Sequence, residues 1–396
     1  MINLTITNLM IMSSISSSPM YTHSRQSFAL QFSTFSKFAS PFLHSLPKEV
    51  KFRGCLFSKF IKTPIQLRQN DARSLSPTQD IVKDRQLLVN MSASFEDTKF
   101  IDNTALGSNF NESCGGAIFV WGEVTIVFKK CTFQRCAANN AGALCLCCCS
   151  TNISECTFEK CIAYNNVGAI WALSFSYFSH DCNLFIEYSN FTDNKAGENC
   201  GAINANLTNT IINNCKFIGN TANLSCGAVA LIGEYSSYLN YVEFINNSCL
   251  QNGAALWIQG NRDYMKNIFK ISLNFIVFEN NRFDFKEEPD QEKTTSSDKL
   301  VSKIGAIHTF GIVSLFYDGE ICFDGVYENF IRTEKDKNFL PGQNFREILF
   351  NSSSKCPFKL VEPTPVVCEE FEYTNPYIEN RLIKNKLALF LPIFMM

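Results

Sequence analysis

The sequence predicts an all-β protein, specifically a right-handed parallel β-helix with coils of about 26 residues, on three observations. The first is a recurring small-residue turn. Gly116, Gly142, Gly168, Gly201, Gly227, Gly253 and Gly305 each precede Ala, at spacings of 26, 26, 33, 26, 26 and 52 residues. The last gap reads as two units, and the gap of 33 as a unit with an insertion. The second is a locked partner motif: Phe100, Phe133, Phe158, Phe191, Phe217, Phe244 and Phe278 are each followed three positions later by Asn or Cys. From Phe133 to Phe244 each Phe lies nine or ten residues before its Gly-Ala turn. Two motifs travelling at one period define a structural unit. The third is periodicity: the units alternate, as in Gly227-Ala-Val-Ala-Leu-Ile, and are rich in Val, Ile, Phe, Thr and Asn. Alternation with such residues marks short strands and turns, whereas helical repeats would place apolar residues at i, i+3, i+4 and i+7.

Each element then has a physical task. The Phe column should point inward and stack coil on coil. The Asn column suits a turn, because Asn tolerates left-handed backbone and its amide can bond to the next coil's amide. Gly before Ala lets the chain pass where a larger side chain would clash. Cys131/Cys156, Cys136/Cys161 and Cys200/Cys226 are 25, 25 and 26 residues apart, so they should form vertical ladders of mostly free thiols. The chain carries 37 Phe and 18 Cys among 396 residues, an excess that a unit reusing both residues explains. The run Cys145, Cys147, Cys148, Cys149 lacks a nearby His, and no zinc-type pair of CxxC motifs is present. No cofactor or metal is expected.

The domain reading follows the repeat. Residues 1–94 are expected to be an irregular N-terminal region or cap, 95–330 the repeats, and 331–396 a stalk with a short hydrophobic tail. A charged segment at about 286–303 reads as a loop inserted in one coil. The tail Leu387–Met396 follows Arg381, Lys384 and Lys386 and is too short for a bilayer, which needs roughly 20 residues. It reads either as a membrane anchor cut short or as a frayed hydrophobic tail. Met1–Met20 carries no basic n-region. Nine Asn-x-Ser/Thr sequons, at Asn3, Asn90, Asn111, Asn152, Asn190, Asn206, Asn223, Asn246 and Asn351, favour passage through the secretory path.

Gly115-Gly116-Ala117-Ile118, together with Phe-x-x-Asn, which is kept in five of seven copies, resembles the repeat of the polymorphic outer-membrane proteins over about Phe95 to Phe330. That resemblance implies a pectin-lyase-like β-helix on the cell surface or secreted, with adhesive or antigenic roles. The partner would be a protein or glycan on another cell or matrix, with a membrane reached through the C-terminal tail.

Three functions are open to such a repeat: an enzyme, a binding surface and an intracellular scaffold. A carbohydrate-active β-helix enzyme needs acids stacked on neighbouring coils. The position two after each Phe reads Asp102, Arg135, Lys160, Asp193, Gly219, Asn246 and Asn280, with no two acids adjacent. Asp181 beside His180 is a polar pair in the enlarged coil. No catalytic residue is assigned, and a net charge of −2 argues against nucleic acid as partner. For binding, if Ile118 and Val120 face inward, then Phe119, Cys145, Trp171, Asn204, Ala230, Leu256 and His308 face outward. Of these, Phe119, Trp171, Leu256 and His308 are the contact candidates.

Overall fold

The structure is a computed structural model. It describes residues 4–14, 19–20, 27–44, 48–68, 91–108, 110–174, 182–233, 236–250, 253–260, 269–283, 306–310, 313–317, 321–324 and 331–334. These form an all-β structure of three sheets with 19, 7 and 10 strands, in which the strand pairings are parallel. The chain visits the sheets in a fixed order. Thr125–Lys129 and Thr132–Gln134 lie in the longest sheet, Ala137–Ala138 in the shortest and Leu144–Cys147 in the ten-stranded one. Ser150–Ser154 then returns beside Thr125–Lys129. This arrangement is compatible with a parallel β-helix.

The core is a set of columns running across the strands. Phe35, Phe57, Phe100, Phe133, Phe158, Phe191, Phe217, Phe244 and Phe278 stack in one ladder, with centroids 4.6–5.4 Å apart and ring planes within 15° of parallel. The spacing follows the roughly 4.8 Å between paired strands, which places equivalent rings face over face. A second ladder, Phe52–Phe95–Phe128, is continued by Ile153, Ile186, Ile212, Leu239 and Leu273.

One position of the core is polar. Asn194, Asn220, Asn247 and Asn281 are buried, and each amide Nδ2 except the last in the row donates to the next Oδ1 at 2.9–3.0 Å. Each Nδ2 also donates to the carbonyl of a core Phe one rung back, and each Oδ1 accepts a backbone N–H. In two circuits Cys136 and Cys161 take the Asn position, and their thiols donate to Phe100 O and Phe133 O instead. At the bend inside the longest sheet, Ser33, Cys55, Thr98, Cys131, Cys156, Ser189 and Cys215 each donate to the carbonyl two residues back. Thiol and hydroxyl are therefore interchangeable there, which accounts for four of the cysteines. Burial pushes the Cys215 thiol up to about 12. Fifteen of the cysteines among the described residues are buried as thiols.

The Gly-Ala turn works by close approach. A Cβ on Gly142 would meet the carbonyl oxygen of Gly168, and one on Gly201 that of Gly227. The left-handed residue is the one before, at Ala141, Val167, Cys200 and Cys226, with φ between 54° and 65°. Gly253 departs from the expected alignment. It is itself left-handed at φ 67°, and Ala254 holds the glycine position above Gly227. Gly305 lies outside the described residues.

Three expectations about boundaries are corrected. Within 1–94, expected to be irregular or a cap, the described residues form strands of the same sheets. Phe28–Gln31 pairs with Glu49–Arg53, and that strand with Ser92–Glu96. The gap from Gly253 to Gly305 is not two units, because Leu256–Gln259 pairs directly with Ile307–Phe310. The charged segment 286–303, itself outside the described residues, therefore falls within a single circuit. At the far end Ile331–Glu334 pairs with Ile307–Phe310, so the sheet passes residue 330. The hydrophobic tail lies outside the described residues.

Candidate functional site

The outward column of the ten-stranded sheet is where the sequence placed a contact surface, and the structure covers much of it. Phe119 is fully buried and His308 is 2% exposed, while Trp171 is half-buried. The cover is local. A loop inserted after Thr104–Ala105 ends in the single helical turn Phe110–Ser113, whose Phe110 ring meets Phe119 at 6.4 Å and Trp171 at 5.7 Å. The Arg68 guanidinium stands 5.0 Å over the Phe119 ring from the rung below. Cys114, Ala141, Cys145, Cys147 and Leu173 complete this second, outer apolar cluster.

Leu256 does not belong to this column. It pairs with Val229 and Ile307 and sits in the main core, while Trp257 pairs with Ala230 and His308. The misplacement follows from Gly253: counting it as an ordinary Gly-Ala glycine shifts the strand by one residue, and in a strand one residue reverses the face. Trp257 joins Trp171, Val167, Cys200, Cys226, Ala230 and Ile232 in a third apolar cluster. The buried Trp171 Nε1, Asn204 Oδ1 and Trp257 Nε1 atoms along this column have no hydrogen-bond partner among the described residues.

The acid-base question has a clear geometry. Asp102 faces Arg135 on the next rung, with Arg135 Nε 2.6 Å from Oδ1 and Nη2 3.2 Å from Oδ2. Arg135 holds the Asp102 carboxyl below its ordinary range by that hydrogen bond, against a smaller opposing effect of burial. Among the described residues no three or more His, Cys, Asp or Glu side chains are placed to hold a metal ion. The pair His180 and Asp181 lies outside the described residues.

A surface the sequence analysis did not single out lies on the outer side of the longest sheet. Phe185, Ile211 and Tyr238 occupy one column on successive rungs and are half-buried. At the bend beside them Tyr241, 37% exposed, stacks on Phe275 with centroids 4.7 Å apart and planes 5° from parallel. Between these columns Asn240 donates to Asn213 at 3.0 Å, and Asn274 donates to the Tyr238 hydroxyl at 3.3 Å. Alternation along Asn209–Ile218 and Ser237–Ile245 could have marked this column. It does not stand out in the sequence because its members change identity from rung to rung.

Three sequons, Asn190, Asn223 and Asn246, are exposed. Comparison with protein-family models, with curated proteins and with solved structures gives no match. The resemblance to polymorphic outer-membrane protein repeats rests on the Gly-Gly-Ala-Ile and Phe-x-x-Asn motifs alone.

Proposed function

We propose that the chain is a right-handed parallel β-helix of the polymorphic outer-membrane protein type, acting without catalysis as a cell-surface or secreted adhesin or surface antigen. Right-handedness is the hand that parallel crossovers adopt in about 98% of cases. The observation carrying the function is the aromatic and amide face of the longest sheet: Phe185, Ile211, Tyr238, Tyr241 and Phe275, interleaved with Asn213 and Asn274. With rungs about 4.8 Å apart it offers a flat row of rings and amides, suited to an extended partner on another cell or matrix. This face replaces the buried column of the ten-stranded sheet as the contact surface. The exposed sequons fit glycosylation in the secretory path.

The test is a pair of measurements on the full chain. Labelling of intact cells should reach it, and Tyr241→Asp with Phe275→Asp should abolish attachment to cells or matrix while the melting temperature stays within a few degrees. Attachment unchanged by the double variant would overturn the assignment of the face. Failure to label intact cells would leave an intracellular scaffold.

A further inference from the structure

We propose that Cys114 and Cys145 are a disulfide-forming pair, a cross-link that clamps the covering segment onto the ten-stranded sheet. The two Sγ atoms are 2.7 Å apart, closer than two thiols rest side by side and within an ångström of the roughly 2 Å of a covalent bond. They belong to neighbouring circuits but to different positions on them. Cys114 bridges Asn140 at the turn, whereas Cys145 lies within the strand Leu144–Cys147. That diagonal offset is why the pair, 31 residues apart, escapes the 25–26-residue spacing of the ladder cysteines.

Four other buried cysteines make a chemical contrast. Cys131, Cys136, Cys161 and Cys215 each donate to backbone carbonyls, so oxidation would strip those oxygens of a partner. Cys114 and Cys145 make their thiol contacts with sulfur: Cys114 with Cys145, and Cys145 also with Cys147 at 3.9 Å. Joining them removes no carbonyl bond. Cys114 directly follows the helical turn whose Phe110 lies against Phe119 and Trp171, so the cross-link would fix that cover in place.

The chemistry is thiol–disulfide exchange with a low-molecular-weight disulfide such as glutathione disulfide. The two protein S–H bonds break and one S–S bond forms; the two sulfurs of the oxidant take up the two electrons and both protons and leave as thiols. Both side chains are fully buried, and burial together with the neighbouring thiols pushes Cys145 well up. A buried thiol of that kind is a poor nucleophile, so the exchange belongs to folding, before the cover closes. The pairing follows from the geometry alone; only its occurrence in the cell rests on the secretory assignment.

The test uses the full chain, directed by an added export leader into the oxidising lumen of a eukaryotic host and, in parallel, made in a reducing cytosol. Each preparation is denatured without reductant, alkylated, digested and analysed by mass spectrometry. The lumenal chain should yield a peptide bearing Cys114 joined to one bearing Cys145, two hydrogens lighter than their sum, while the cytosolic chain is alkylated at both. Its melting temperature should fall on addition of reductant, and that response should vanish in Cys114→Ala with the strand circular dichroism kept. Should Cys114→Ala fail to fold, the peptide analysis of the unsubstituted chain decides alone. Alkylation of Cys114 or Cys145 in the lumenal chain, or either of them joined to Cys147, overturns the pairing. Intact cells that label while the pair is alkylated would sink the cross-link and leave the surface assignment standing.

Discussion

The circuits before Arg68 and those from Thr132 to Asn281 share one ladder and differ in the column beside it. In both regions the inward Phe is kept, from Phe35 and Phe57 through to Phe278. Three residues on, the later region places Asn or Cys, whereas the earlier one places Phe38 and Phe60, stacked 4.8 Å apart at 10°. The turn differs as well. Where the later region has Gly-Ala, the earlier has Pro41-Phe42 and Thr63-Pro64, since Leu43, Ile65 and Ile118 share a rung position. The seam between the two chemistries is Asn103: its Oδ1 accepts the Phe60 N–H at 3.1 Å, and its Nδ2 donates to Phe57 O. One backbone path is thus compatible with two ways of filling its corner, a ring stack or a chain of amides.

If the Phe ladder is the shared element, truncating it should cost the same on either side of the seam. Phe57→Ala and Phe217→Ala are each expected to lose about 3–5 kcal/mol, the usual cost of deleting a buried ring and leaving a cavity. Chemical denaturation of both variants measures this. A large loss at Phe217 with little at Phe57 would show that the early circuits are not cooperative with the rest.

The corner column should separate the regions under a single substitution. Asn220→Leu removes the acceptor of the Asn194 N–H and of its amide, and the donor to Phe191 O. Leaving such groups buried without partners should cost about 2–4 kcal/mol. Phe60→Leu replaces one apolar side chain by a slightly smaller one and should cost less than about 1.5 kcal/mol. Equal losses would show that the amide chain adds nothing beyond the space it fills.

This difference also explains what the sequence disclosed. The later circuits announce themselves because their corner tolerates few residues: an amide or thiol that reaches a carbonyl, then a glycine against the next backbone. The early circuits obey the same geometry with Phe and Pro, which many folds use, so Phe35-x-x-Phe38 and Phe57-x-x-Phe60 carry no distinctive signal. The contact surface was less legible. Alternation points Phe119 outward, but it does not show that Phe110, nine residues earlier, returns to cover it. Leu256 faces inward because Ala254, not Gly253, holds the glycine position above Gly227. The Cys114–Cys145 pairing joins unlike positions of successive circuits, which no repeat spacing can reveal.

The outer corner gives the smallest expected effect, and it tests the seam from the solvent side. Lys59, Asp102 and Arg135 occupy one left-handed corner position on three successive rungs, so the carboxylate of Asp102 lies between a cation of the early region and one of the later. Its carboxyl is held below the ordinary 3.8 by the Arg135 hydrogen bond foremost, with Lys59 adding a weaker attraction. A carboxyl whose folded value is depressed contributes stability that is complete above its unfolded value and fades as pH falls through the folded one. Near neutral pH, therefore, Asp102→Asn should lower the melting temperature slightly, the pair being largely open to solvent. Below about pH 4 the difference between variant and native chain should shrink toward zero. Added salt should narrow the neutral-pH difference too, because exposed charges are screened. A difference that persisted unchanged into acid would mean that Asp102 acts through its shape or hydrogen bonding rather than its charge, since Asn tolerates the left-handed backbone equally well.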